Sequence, residues 1–192
     1  MIIMKLSVGK TSGNKLSFVL EDTNEEFANT IRRYGMVAVP TFAIENVVFY
    51  DNTTSIFDEY ISHRLGQVPL LTPSKSPESA EVVFVIDEVG PKVVCSSDMK
   101  CSDEDVKVAK DKIPIITLTE GQKLRLEAKA VLRNGRTHAK FQAGLLSYGI
   151  NGGKFDFRVE SFFQMEPKEL VLRACDVILE DISELQKGLK KA

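Results

Sequence analysis

Near the end of the chain six apolar residues, Val171, Ala174, Ile178, Ile182, Leu185 and Leu189, follow one another at gaps of three and four. That spacing fits one face of an α-helix and nothing else in the secondary-structure repertoire. It predicts a long final helix whose stripe is narrow and near-heptad, the pattern of a helix that packs against another helix. Pro167 suits its first turn, where the missing N–H costs nothing. Lys187, Lys190 and Lys191 suit the negative end of its dipole.

A second stretch, Thr23 to Pro73, predicts two more helices around a strand. Thr23 with Glu26 three positions on has the form of a capping box, so a helix is expected to start at Thr23 with Phe27, Ile31 and Tyr34 on its apolar face. Gly35 and Pro40 mark its end. Ser55 with Asp58 repeats the signal, followed by Phe57, Ile61, Leu65 and Val68 on one face and stopped by Gly66 and Pro69. Between them, residues 42–50 (FAIENVVFY) are β-branched and aromatic with no helix cap, which predicts a strand.

The remaining chain reads mainly as β. Residues 2–22 predict a hairpin turning within Gly9 to Asn14. Glu81 to Asp87 predicts a strand closed by Gly90-Pro91, and Ile113 to Leu118 an edge strand or extended loop because of Pro114. In residues 123–132, Leu124, Leu126, Ala128 and Ala130 alternate with charged residues, as in a half-buried antiparallel strand. Asn134-Gly135 reads as a hairpin turn, with Arg136 to Leu146 returning as the partner. Phe155, Phe157 and Val159 alternate cleanly in a further strand. The Pro- and Ser-rich run Thr72 to Ser79 reads as a surface loop.

Composition narrows the function classes. Of 192 residues, 43% are hydrophobic and 27% charged, which is ordinary for a globular protein. A net charge of −2 lacks the basic excess of a general nucleic-acid binder, so direct DNA contact is expected to be slight. No apolar run approaches the roughly 18 residues that span a bilayer, and the start is too short in apolar residues for a signal peptide, so a cytoplasmic, non-membrane location is expected. Cys95, Cys101 and Cys175 stand at no zinc-ligand spacing, and His63 and His138 have no nucleophile beside them. The acidic groups Glu21/Asp22, Asp103 to Asp105 and Glu180/Asp181 read as solvated surface. Catalytic residues and metal ligands are therefore expected to be none.

The order of these signals, a capped helix ending in IRRYGMVAVP, a strand, then a helix closing with HRLGQVPLL, resembles the assembly subunits of DNA-directed RNA polymerase. These are the bacterial alpha amino-terminal domain and its archaeal and eukaryotic counterparts, and the archaeal D type is the most similar. The resemblance implies an α+β fold: an alpha-subunit-like dimerisation domain, a sheet with two long helices, at 1–40 and 149–192, interrupted by a mainly β insert domain at 41–148. It implies a non-catalytic assembly platform within a nucleotidyltransferase complex, with catalysis on the largest subunit. Read without the resemblance, the two helical stripes simply cover the chain's own sheet. The resemblance implies instead that Phe27, Ile31, Tyr34, Ile178, Ile182 and Leu185 pair with a small alpha-like, L-type partner.

It further implies that Arg32 and Arg33, with Phe57, Tyr60 and Arg64, dock the second-largest subunit, with small zinc-bearing subunits nearby. His138-Ala-Lys140 resembles a family segment usually followed by tryptophan, where this chain has Phe141. Similar chains place a glycine shortly after the pair Glu160-Ser161, where this chain has Phe162 and Phe163. Some archaeal D-type members carry a cysteine-rich lobe with iron–sulfur clusters; this chain has neither the length nor the cysteines for it, and no cofactor is expected. A self-contained homodimeric binding module of unknown ligand is the alternative reading.

Overall fold

The computed structural model describes residues 4–77, 79–101, 103 and 105–191. The elements run β1 (Lys5–Ser12), β2 (Lys15–Glu21), α1 (Glu25–Val37), β3 (Thr41–Asn52), α2 (Asp58–Gly66), β4 (Glu81–Val89), β5 (Lys92–Cys95), β6 (Lys100–Cys101), β7 (Pro114–Leu118), β8 (Lys123–Arg133), β9 (Gly144–Asn151), β10 (Lys154–Ser161) and α3 (Pro167–Lys191). They fall into two compact units, one of the residues up to Pro40 and from Asn134 onward, the other Thr41–Arg133.

The first unit is an antiparallel sheet in the order β1-β2-β10-β9 with α1 and α3 packed on its apolar face. Phe157 stands opposite Phe18 in the register, and their rings stack with centroids 4.7 Å apart. Leu16, Leu20, Phe155, Val159 and Leu146 extend this layer, and Ala28, Ile31, Leu170 and Ala174 close over it from the helices. A Cβ at Gly144 would run into the Glu160 carbonyl and the Leu170 side chain, so the absence of a side chain there lets α3 lie close to the sheet.

Three expectations are corrected here. The cap of α1 is Asn24, whose Oδ1 accepts from the Phe27 N–H at 3.0 Å, and Thr23 lies before it. Both residues are good caps, and a local spacing rule cannot choose between neighbours. The helix then continues through Gly35 to Val37, because Gly35 faces Leu146 where a Cβ would not fit, so this glycine serves packing and not termination. Residues 134–148 belong to the first unit: the Arg136 N–H donates to the Val37 carbonyl, and β9 pairs with β10 over its whole length, Leu146 opposite Val159. Asn134-Gly135 turns the chain away from β8 rather than back along it.

In the second unit the sheet order is β3-β8-β4-β6, with a separate β5-β7 pair. β8 is paired on both sides, and Leu124, Leu126, Ala128 and Ala130 alternate into the core as their spacing predicts. Phe42, Phe84, Ile86, Ile61, Leu65, Leu70 and Leu118 complete this core. The Ser55 cap is also corrected: α2 begins at Asp58, after Phe57, with no side-chain cap. Asn52 gathers the preceding loop by donating to Asp58 Oδ1 and the Ile56 carbonyl while accepting from Thr54. Because the helix starts beyond it, Phe57 does not share the buried face of Ile61, Leu65 and Val68 and stands 80% exposed.

Candidate interaction surfaces

α3 carries 25 residues, about 38 Å at 1.5 Å per residue. The strands beneath it are eight residues or fewer, about 26 Å. Coverage follows from that mismatch. Leu170 and Ala174 are buried and Val171 and Ile178 pack half-buried against the core, but beyond them the apolar stripe has nothing over it. Ile182 is 48% exposed, Leu185 64% and Leu189 70%, with Leu179 beside them. On α1, Phe27 is exposed while Ile31 is buried in this unit's own core. Of the six residues assigned to a pairing face, then, Phe27, Ile182 and Leu185 are open, Tyr34 and Ile178 are half-buried, and Ile31 supports the face from beneath.

Tyr34 ties the two helices together. Its hydroxyl donates to Asp181 Oδ2 at 2.7 Å, and the Arg136 guanidinium lies 5.5 Å from its ring centre. The hydrogen bond to the Asp181 carboxylate, with partial burial, raises the Tyr34 phenol above its ordinary pKa. This tie joins α1 to α3 one turn beyond Ile178, where α3 leaves the core. Sequence reading missed it, since no spacing rule links residues 34, 136 and 181. It also missed Leu172 and Leu179, leucines seven apart and one position beyond the main stripe, whose interval was the available signal.

At the end of α1, Arg32 is folded back: Nε and Nη2 both donate to Asn29 Oδ1, at 3.2 and 2.8 Å. Arg33 points into solvent. Below α3, Phe163 adopts a left-handed φ of 75°, the conformation a glycine takes without strain, and its N–H donates to Ser161 Oγ. Phe141 is fully buried, so the residue that follows His138-Ala-Lys140 packs as an aromatic there should.

Phe57, Tyr60 and Arg64 belong to the second unit at gaps of three and four; Phe57 caps α2 from outside, and Tyr60 and Arg64 each precede a buried residue, Ile61 and Leu65, by one position. The Arg64 guanidinium lies 6.0 Å from the Tyr60 ring centre, and its Nη2 donates to the Pro114 carbonyl. The three cysteines are half-buried, and burial pushes the Cys175 thiol up. Among the described residues, no group of three or more His, Cys, Asp or Glu side chains is placed to hold a metal ion, and no helix is long and apolar enough to cross a membrane.

Residues 47–147 match the family model described as the RNA polymerase Rpb3/RpoA insert domain. The chain is 39% identical over 153 residues to the DNA-directed RNA polymerase subunit Rpo3 of Methanocaldococcus jannaschii, covering 79% of this chain and 78% of that protein. It is 39% identical over 153 residues to the Rpo3 subunit of Pyrococcus horikoshii, covering 76% of this chain and 59% of the relative. With the Rpo3 subunit of Halobacterium salinarum it shares 43% over 128 residues, 67% of this chain and 52% of the relative. Against several such relatives the chain therefore spans little more than half their length.

Proposed function

The chain belongs to the Rpb3/RpoA family of RNA polymerase subunits, and from that premise we propose that it is a non-catalytic assembly platform of a cytoplasmic, archaeal-type DNA-directed RNA polymerase. Its partner at the helical face is a small alpha-like subunit. The observation that carries this reading is the open run Ile182, Leu185 and Leu189, a heptad seam that continues after the chain's own core has ended. A seam of that kind is satisfied by a facing helix, and contiguous apolar exposure marks an interface. Phe27 on α1 adds a second helix to the same pairing face.

Arg33 on the first unit and, separately, Phe57, Tyr60 and Arg64 on the second are assigned as contacts for the second-largest subunit. Arg32 serves this contact less directly, because Asn29 already holds its guanidinium. Small zinc-bearing subunits dock beside it. The chain brings no iron–sulfur cluster, so the purified protein is expected to lack the brown colour of such a cluster.

Two variants test the reading. Ile182→Asp puts a carboxylate into the seam, and co-purification with the small partner should then be lost. Arg33→Ala should leave that pairing intact while recruiting less of the second-largest subunit. If Ile182→Asp pairs as well as the unaltered chain, the assignment of the seam is wrong.

A further inference from the structure

The sheet of the first unit has a second face, on the side away from α1 and α3, and part of it forms a pocket of about 380 Å3. Strand register builds this pocket in two rows. In one row Lys15 stands opposite Glu160, which stands opposite Leu145. In the next, Arg158 lies between Ser17 and Ser147, and a register shift in β1 sets Gly9 and Lys10 together against Ser17. Such a bulge re-aims the side chain it carries, and here it brings Lys10 to the pocket that Arg158 already lines.

Charge pairing on this face is uneven. Lys15 meets Glu160 at 3.3 Å, while toward the other end of the strands Lys5 meets Asp22 at 3.0 Å and Lys154 meets Glu21 at 2.6 Å. Among the described residues the side chains of Lys10 and Arg158 have no such partner, and both are exposed. Asp156, the next carboxylate along β10, stands one row beyond and does not line the pocket. The row therefore offers two open cations with the Ser17 and Ser147 hydroxyls between and beside them. A single carboxylate fills the guanidinium fork and leaves the ammonium over, whereas the two charges and several acceptor oxygens of a phosphate group serve both. A nucleic-acid strand fits less well, because the lysines on either side are already neutralised and no track of open cations leads away from the pocket.

We infer that this pocket binds a phosphate group, free or carried on a small phosphomonoester, with Arg158 and Lys10 pairing to its oxygens and the Ser17 and Ser147 hydroxyls donating to them. Ser17 Oγ otherwise reaches only the Lys10 carbonyl, at a long 3.4 Å. The pocket is roomier than a phosphate ion alone requires, and the exposed Leu145 side chain supplies an apolar wall for the organic body of an ester. None of this depends on the partner assignments above.

The test follows the NMR shifts of the isotope-labelled full chain as inorganic phosphate, glycerol phosphate or sodium chloride is added at constant ionic strength. Phosphate, and not chloride, should give saturable shifts at the Ser17 and Ser147 N–H groups and the Arg158 Nε–H. Tighter saturation by glycerol phosphate assigns the site to an ester, and equal saturation to the free ion. Arg158→Gln should weaken phosphate binding about tenfold, the loss expected when a charge-assisted hydrogen bond is removed, and Arg158→Lys should recover part of it. Asp156→Asn should tighten binding by removing a neighbouring negative charge, a gain that a damaged fold does not produce. Shifts that never saturate, that chloride reproduces, or that Arg158→Gln leaves unchanged overturn the site, as does weaker binding by Asp156→Asn.

Discussion

Leu170 and Leu185 are the same residue type on the same helix, yet Leu170 is fully buried and Leu185 is 64% exposed. Their difference lies in what faces them. The first half of α3 rests on Phe18, Phe157 and Leu146 of its own sheet; the second half extends past the last of these contacts at Ile178. A stripe of constant spacing thus serves two purposes along its length, self-coverage first and presentation afterwards.

The sharpest way to break this comparison is to truncate one leucine in each half. Leu170→Ala is expected to cost the isolated chain about 3 kcal/mol in a urea unfolding measurement, because it leaves a cavity under a packed helix. Leu185→Ala should change the same measurement by less than about 0.5 kcal/mol, as an exposed residue does. Equal losses from the two would mean that α3 is covered uniformly.

The second prediction exchanges the readout. Leu185→Ala should weaken association with the small partner by about 2 kcal/mol, near thirtyfold, as an interface anchor does. An affinity measurement by titration calorimetry checks this, and an unchanged affinity would remove Leu185 from the seam.

The smallest effect concerns the join between the halves, where Tyr34 meets Asp181. Tyr34→Phe removes one surface hydrogen bond and should cost about 1 kcal/mol or less. Its pH dependence is more telling. The Tyr34 pKa is raised in the folded state from an ordinary value of 10.0, so the folded chain holds that proton more tightly than the unfolded one. The stability it contributes is complete below pH 10.0 and is lost as pH rises through the folded value. The stability gap between the native chain and Tyr34→Phe should therefore close above that pH; a gap independent of pH would contradict the hydrogen bond.

Much of the fold was legible in residue periodicity. The alternation of β8 and β10 and the start of α3 at Pro167 are local patterns, and the structure realises them because the faces they define are the faces that become buried. Other features depended on context. Thr23 and Asn24 are adjacent caps of similar strength, and the choice fell to Asn24. Ser55 lost the role of cap because Asn52 organises the loop ahead of α2, which also left Phe57 outside the helix and in solvent. The partner of β9 was misread from Asn134-Gly135, which turns the chain but makes no hairpin with β8; the two-residue turn Gly152-Gly153, with both glycines at positive φ, is the signal that joins β9 to β10. The candidate surfaces were legible as stripes. Where coverage stops, at Ile178, depends on the length of a sheet built from opposite ends of the chain.

The most direct measurement of the central claim is the mass, by light scattering after size exclusion, of the full chain co-expressed with a small alpha-like polymerase subunit. A one-to-one heterodimer that separates into its components when Ile182 and Leu185 are both replaced by Asp is the predicted result. A homodimer of this chain that excludes the smaller subunit, or a heterodimer indifferent to those two substitutions, would contradict it.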